Sequence, residues 1–247
     1  MIQVEPHAHV AVIRLDRSEK RNALTPKMLA SLRGAVDRAS SARAIVLSGV
    51  GDVFCAGFDL SLCRDDDEAL AELLRGLLSV IRSLRAAPCP VVVSAHGAAI
   101  AGGCAMLGGA DVVITTSDAR LGYPVLRLGI SPALSYPTLA AMTGHGPART
   151  RMLDPQLISG DEAVRIGLAH ECVESSTTCE ARAIALAQCL ADKPPHSLAY
   201  TKRWLDQLAG LHDVEAYEAA ISASLACVGS PEQHARLAAL WSKEGAS

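Results

Sequence analysis

Val53-Phe54-Cys55-Ala56-Gly57-Phe58-Asp59-Leu60 and His96-Gly97-Ala98-Ala99-Ile100-Ala101-Gly102-Gly103-Cys104-Ala105 are the two stretches whose reading decides the fold. Each follows a β-branched, apolar run that reads as a buried strand: Ala44-Ile45-Val46-Leu47 before the first, Val91-Val92-Val93 before the second. Each is built of small residues around glycine, so backbone N–H groups can be left free for a ligand. Two such donors converging on one point stabilise negative charge growing on a carbonyl oxygen. Taken alone, the first turn reads as an ordinary strand-to-helix connection. It is set apart by the chain's only two phenylalanines, Phe54 and Phe58, in a sequence that is 3 % aromatic.

Outward from these turns, strands alternate with helices. Val10 to Leu15 reads as a strand, and Thr25-Pro26 is an N-cap with proline at the first helical position. The helix it opens carries Met28, Leu29, Leu32, Val36 and Ala39 on one face. After the first turn, Leu70, Leu73, Leu74, Leu77, Leu78, Ile81 and Leu84 keep helical spacing up to a stop at Pro88. Val112-Val113-Ile114-Thr115 is another strand, Ser159-x-x-Glu162 a capping box, and Leu168 to Val173 holds a short strand. From Thr177 onward the pattern is helical, with a boundary at Pro194-Pro195 and a cap at Ser230-Pro231-x-Gln233. The expected architecture is α/β with right-handed crossovers over residues 1–194, then an all-helical piece over 195–247.

Bulk properties exclude several functions. Half of the 247 residues are hydrophobic, so a large core is available and it must be built from Ala, Leu, Val and Ile. A net charge of −3 leaves no electrostatic footprint for nucleic acid, and no Lys/Arg block marks a membrane surface. The eight cysteines show neither C-x-x-C pairs nor a histidine spacing suited to zinc, so no metal site is expected. They read as small core hydrophobes in a reducing compartment, and with no signal-like N-terminus the expected location is cytoplasmic. Val91 to Ala110 is long and apolar enough to suggest a membrane span. Five glycines, Ser94, His96 and the prolines at 88 and 90 argue for a strand, a turn and a helix start instead. Gly97-x-x-x-x-Gly102 has the spacing of a phosphate loop, but Gly103-Cys104 stands where Lys-Ser/Thr is required.

Three runs, Arg17-Ser18-Glu19-Lys20-Arg21-Asn22-Ala23-Leu24, Phe54 to Leu60 and Gly97 to Cys104, together resemble the enoyl-CoA hydratase/isomerase (crotonase) superfamily. Ala110 to Ile114, Leu128-Gly129-Ile130 with Pro132, Gly160 to Ala163 through Gly167-Leu168, and Pro194 to Lys202 continue the resemblance in order along almost the whole chain. It implies a spiral core of (ββα) repeats with a C-terminal helical region, assembled into trimers or paired trimers through the C-terminal helices. It also implies a thioester carbonyl held between the backbone N–H groups of Phe58 and Gly102. Ala23, Ala56, Asp59, Leu60, Ala105, Tyr123 and Val125 would then line the acyl-CoA path, with Lys20 or Arg21 at the CoA phosphates. Coenzyme A enters as part of the substrate, and no other cofactor is implied.

At two positions the pattern breaks. The resemblance places hydratase glutamates directly after Gly-Gly-Cys and after the proline of Tyr123-Pro124-Val125. This chain has Ala105 and Val125 there. Neither accepts a proton, and loss of general acid–base help typically costs about 10²–10⁴-fold per group. Tyr123 either reaches the pocket or buries its ring and satisfies its hydroxyl elsewhere. Ser131, as a helix cap, Ser135, Tyr136 and His234 of the last helix are the remaining polar candidates, and Asp65 to Glu68 reads as a solvated helix start. Two functions stay open: an enzyme that stabilises a thioester enolate for isomerisation, decarboxylation or another lyase step, and a non-catalytic acyl-CoA-binding or acyl-carrier-binding protein. No G-x-S-x-G segment supports a serine hydrolase.

Overall fold

A computed structural model of the chain describes residues 1–64 and 66–244. Strands β1 (Ile2–His7) and β2 (Val10–Leu15) come first, then α1 (Pro26–Arg38), β3 (Ala44–Gly49), α2 (Asp67–Ala86) and β4 (Val91–Ala95). The second glycine turn contains β5 (Ala98–Ile100) and α3 (Gly102–Leu107), followed by β6 (Val112–Thr116) and β7 (Arg120–Gly122). Helices α4 (Tyr136–Thr143), α5 (His145–Leu153) and α6 (Gly160–Arg165) precede β8 (Glu171–Val173). Four helices follow: α7 (Ser176–Ala191), α8 (Pro195–Leu208), α9 (Val214–Leu225) and α10 (Pro231–Glu244).

The main sheet runs β1-β2-β3-β4-β6-β8, with β1 antiparallel to β2 and the other pairs parallel. Side chains alternate between its faces, as the period of two requires. Val10, Val12, Ala44, Val46, Val92 and Ile114 meet Cys179, Ala183, Ala187 and Ala191 of α7. That small-residue stripe recurs every four positions and lets the helix lie close to the strands. Ala11, Ile13, Leu15, Ile45, Leu47, Val91 and Val93 face the other way into the main core, with the apolar faces of α1 and α2.

Most helix starts follow the expected chemistry. Thr25 Oγ1 accepts from Met28 N at 3.1 Å, and the Asp66 carboxylate accepts from Ala69 N at 3.2 Å. Asp65 of the acidic run lies outside the described residues. At α6 only half of the capping box forms. Ser159 Oγ accepts from Glu162 N at 3.2 Å, but the Glu162 carboxylate turns to Arg165 instead of reaching back. Strand β1 has no counterpart in the apolar pattern, because it is exposed along nearly its whole length and held by its ladder alone.

The C-terminal helices pack on the rest of the same chain. Lys202 of α8 reaches Asp111 at 2.7 Å and the carbonyl oxygens of Leu84 and Cys89, while Asp206 pairs with Arg85. Tyr217 and Ile221 of α9 and Leu237 of α10 belong to the main core. Gln233 of α10 packs against Gly129, where an added Cβ would lie 2.7 Å from the Gln233 Cα. No helix among the described residues is long and apolar enough to cross a membrane.

Candidate active site

The two glycine turns are laced together by main-chain hydrogen bonds. Phe54 N donates to His96 O at 2.9 Å, Cys55 N to Ala98 O at 3.0 Å, and Ile100 N back to Cys55 O at 3.0 Å. Gly103 makes the close approach possible, since an added Cβ would stand 2.5 Å from the Cys55 carbonyl oxygen. On the other side, the Arg21–Leu24 segment borders the first turn: Ala56 N donates to Arg21 O, Leu24 N to Gly57 O and Asp59 N to Leu24 O.

This lacing accounts for the donors on either side of Phe58. Gly57 N turns to the Cys55 sulfur at 3.5 Å. The Phe58 N–H itself has no acceptor among the described residues, nor does that of Gly102. Gly102 opens α3, where the first backbone donors have no partner inside the helix. The Phe58 ring lies against Gly102, whose added Cβ would meet Phe58 Cε1 at 3.0 Å. A side chain at 102 would therefore displace the ring.

Ala101, which sets the direction of the Gly102 N–H, has φ 51° and ψ −111°, a conformation suited to glycine. Its own N–H is held by Gly122 O at 2.8 Å. Such a residue typically stores about 1–3 kcal/mol, against roughly 0.5–1 kcal/mol for the extra freedom of an unfolded glycine. Ala101→Gly is expected to stabilise the fold by about 1 kcal/mol, read from the urea midpoint. A lower midpoint would mean that the methyl group's contacts outweigh the strain.

Asn22, buried with φ 56°, ties the entry segment to the first turn. Its amide donates to the Val50 and Val53 carbonyls at 2.9 Å each, and its Oδ1 accepts from Arg17 N at 2.9 Å. The Cys55 thiol donates to Asn22 O at 3.3 Å, and burial pushes its pKa up to about 12, so it stays a thiol. Asn22 belongs to the Arg17–Leu24 run, but nothing in its spacing marks it as the anchor of the turn.

Phe58, Gly102, Ala56, Leu60, Ala105, Tyr123 and Val125 all line one cavity of about 120 Å³. Leu74 and Leu77 of α2, with Leu128, Ile130 and Leu134, complete an apolar wall. No Asp, Glu, His, Lys or Arg stands among the lining residues described. Tyr123, Ser131 and Ser135 supply its polar side chains. Ser131 Oγ accepts from Ala133 N at 3.3 Å, as a cap does.

Four expected site residues lie outside this lining. Lys20 and Arg21 are exposed beside the first turn, and the Ala23 carbonyl accepts from Arg17 Nη1 at 3.0 Å. The Asp59 carboxylate is engaged by Arg17 at 2.7 Å and by Ser61 Oγ at 2.6 Å. Partial burial opposes its charge, but the bonds from Ser61 and Arg17 prevail and hold it below the usual carboxylate range. His234 is spent on Asp67 at the surface, and Tyr136 on His145, so neither reaches the cavity. His96 Nε2 is bonded to Gly51 O at 2.9 Å, which makes that ring part of the turn's scaffold.

Residues 5–230 match the family model described as enoyl-CoA hydratase/isomerase. A Thermus thermophilus protein, provisionally named an enoyl-CoA hydratase, is 36 % identical over 218 residues, 85 % of each chain. The short-chain-enoyl-CoA hydratase of Clostridium acetobutylicum is 33 % identical over 180 residues, covering 70 % of this chain and 69 % of that protein. Among solved structures, an enoyl-CoA hydratase/isomerase from Xanthobacter autotrophicus Py2 superposes with a TM-score of 0.86 at 28 % identity, over 95 % of this chain and 90 % of that one.

Proposed function

The chain belongs to the enoyl-CoA hydratase/isomerase family, and from that premise we propose that it holds an acyl-CoA thioester oxygen between the Phe58 and Gly102 N–H groups while an enolate forms. The observation that carries this reading is the cavity itself: two uncommitted backbone donors on a lining with no ionisable acid or base other than Tyr123. Each donor of this kind typically contributes about 3–4 kcal/mol to stabilising an oxyanion. Lys20 and Arg21, exposed beside the first turn, are the proposed contacts of the CoA phosphates.

Such a site favours a reaction that brings its own electrons to the enolate. Abstracting an α-proton needs an acceptor, and the side chains of Ala105 and Val125 offer none. Loss of CO₂ from a β-carboxyl group needs no base. A charged carboxylate seated in this apolar cavity is driven toward uncharged CO₂ by its lost hydration. Decarboxylation of a malonyl-type thioester is therefore the preferred assignment, ahead of isomerisation and of glutamate-driven hydration. The exposed apolar side chains of Tyr200, Trp204 and Leu208 on α8 support assembly of copies through the C-terminal helices.

Incubating the protein with malonyl-, methylmalonyl-, acyl- and enoyl-CoA thioesters in D₂O tests the assignment. The expected result is CO₂ release with one deuterium placed on the α-carbon. Crotonyl-CoA hydration at ordinary hydratase rates would overturn it. Tight binding with neither exchange nor CO₂ across the panel would establish the acyl-CoA-binding alternative, which the same cavity supports.

A further inference from the structure

We propose that the Tyr123 hydroxyl is the acid that delivers a proton to the enolate carbon, an inference that rests on the thioester-enolate reading above. Tyr123 follows β7 and lines the cavity together with Ser135. Cys104 and Ser135 are its polar neighbours. Cys104 lies two residues beyond Gly102 on α3. The phenol therefore stands against the same short helix whose first N–H is offered to the thioester oxygen.

Elimination points the same way. Of the polar side chains on the lining, Ser131 and Ser135 are hydroxyls far less acidic than a phenol. The Cys104 thiol is buried behind the wall, and burial raises its pKa to about 12. Burial also raises the Tyr123 phenol well above its ordinary value, with the neighbouring Cys104 adding to the effect. The group thus stays protonated through the neutral range, able to give a proton and unable to take one. A thioester enolate is a much stronger base than a phenolate, so the transfer runs downhill even from a raised phenol.

The step balances without another reactant. The bond from the α-carbon to the carboxylate breaks, CO₂ leaves, and the electron pair becomes the enolate held by the two N–H groups. That pair then forms a C–H bond with the Tyr123 proton, while the O–H pair stays on the phenolate. Water restores the phenol's proton when product leaves. Because the phenol occupies a fixed place on the wall, it delivers the proton to one face of the α-carbon.

The test is Tyr123→Phe, which removes one oxygen atom, assayed with methylmalonyl-CoA in D₂O and with propionyl-CoA binding measured beside it. The wild-type chain is expected to place deuterium on a single face of the propionyl α-carbon. The variant should bind propionyl-CoA within about twofold of wild type, lose about 10²-fold in kcat, and scatter deuterium over both faces as solvent quenches the enolate. Unchanged rate and stereochemistry in the variant would overturn the role of Tyr123 and leave the decarboxylase assignment standing. Loss of propionyl-CoA binding in the variant would make Tyr123 structural and likewise overturn the proposal. No CO₂ from the wild-type chain would overturn both readings together.

Discussion

Replacing Ala105 and Val125 together by glutamate is expected to raise crotonyl-CoA hydration by at least about 10²-fold over the wild-type chain. Both positions line the cavity, Ala105 on α3 one turn from Gly102 and Val125 in the 3₁₀ turn Pro124–Leu128. They are also the two places where the family resemblance sets glutamates. Hydration needs a group to activate water and a group to manage the α-proton, and a positioned carboxylate typically contributes about 10²–10⁴-fold in either role. The single replacements should each gain far less, because one carboxylate supplies only half of the proton traffic.

The gain has a stability cost with a defined pH dependence. Two carboxylates enclosed in an apolar cavity have folded-state pKa values raised by burial and by each other. Raised acid pKa values destabilise the fold above the unfolded-state pKa, and the penalty fades as pH falls below about 4. Thermal melts of the double variant should therefore approach wild type in acid and fall below it at neutral pH. A double variant that folds, binds crotonyl-CoA and hydrates none of it would show that the cavity does not place water between the two positions.

Gly97→Ala is the second large effect, expected to cost about 3–5 kcal/mol of unfolding free energy and to abolish thioester binding. Gly97 has φ +62°, and a Cβ there would overlap the Asp52 carbonyl oxygen. Both the conformation and the clash involve backbone, so no side chain can swing aside. The position is also a junction: Gly97 N donates to Thr116 Oγ1 at 3.2 Å, and Gly97 O accepts from Arg120 N at 2.9 Å. Its neighbours His96 and Ala98 accept the bonds from Phe54 and Cys55 that lace the turns. A shift at 97 therefore separates the Phe58 and Gly102 donors. Gly146→Ala is the control, with open space around its added Cβ. Guanidinium melts should place it within about 0.5 kcal/mol of wild type, or slightly more stable. Equal losses at 97 and 146 would refute the geometric argument.

The legibility of the chain varied with the range of the interactions involved. The helix faces of α1 and α2, the caps at Thr25, Ser159 and Ser230, and the buried strands around Val46 and Val92 follow from contacts within a few residues. Strand β1 escaped because a solvent-exposed edge needs no apolar alternation. Helices α4 and α5 and the small β5–β7 pair escaped because they are short and owe their form to what surrounds them. Leu74 and Leu77 carry the same periodic signal as Leu73 and Leu78, and only packing separates a cavity wall from a filled core.

By itself the sequence determined the alternating architecture, the two glycine turns and the absence of a carboxylate at Ala105 and Val125. Side-chain identity and near-neighbour spacing suffice for all three. Only the tertiary structure decided that Cys55 bridges the two turns, that Asp59 is spent on Arg17, and that Tyr123 lines the same cavity as Phe58 and Gly102. These groups are far apart along the chain, and their meeting is set by how whole elements pack, a relation that no local pattern encodes.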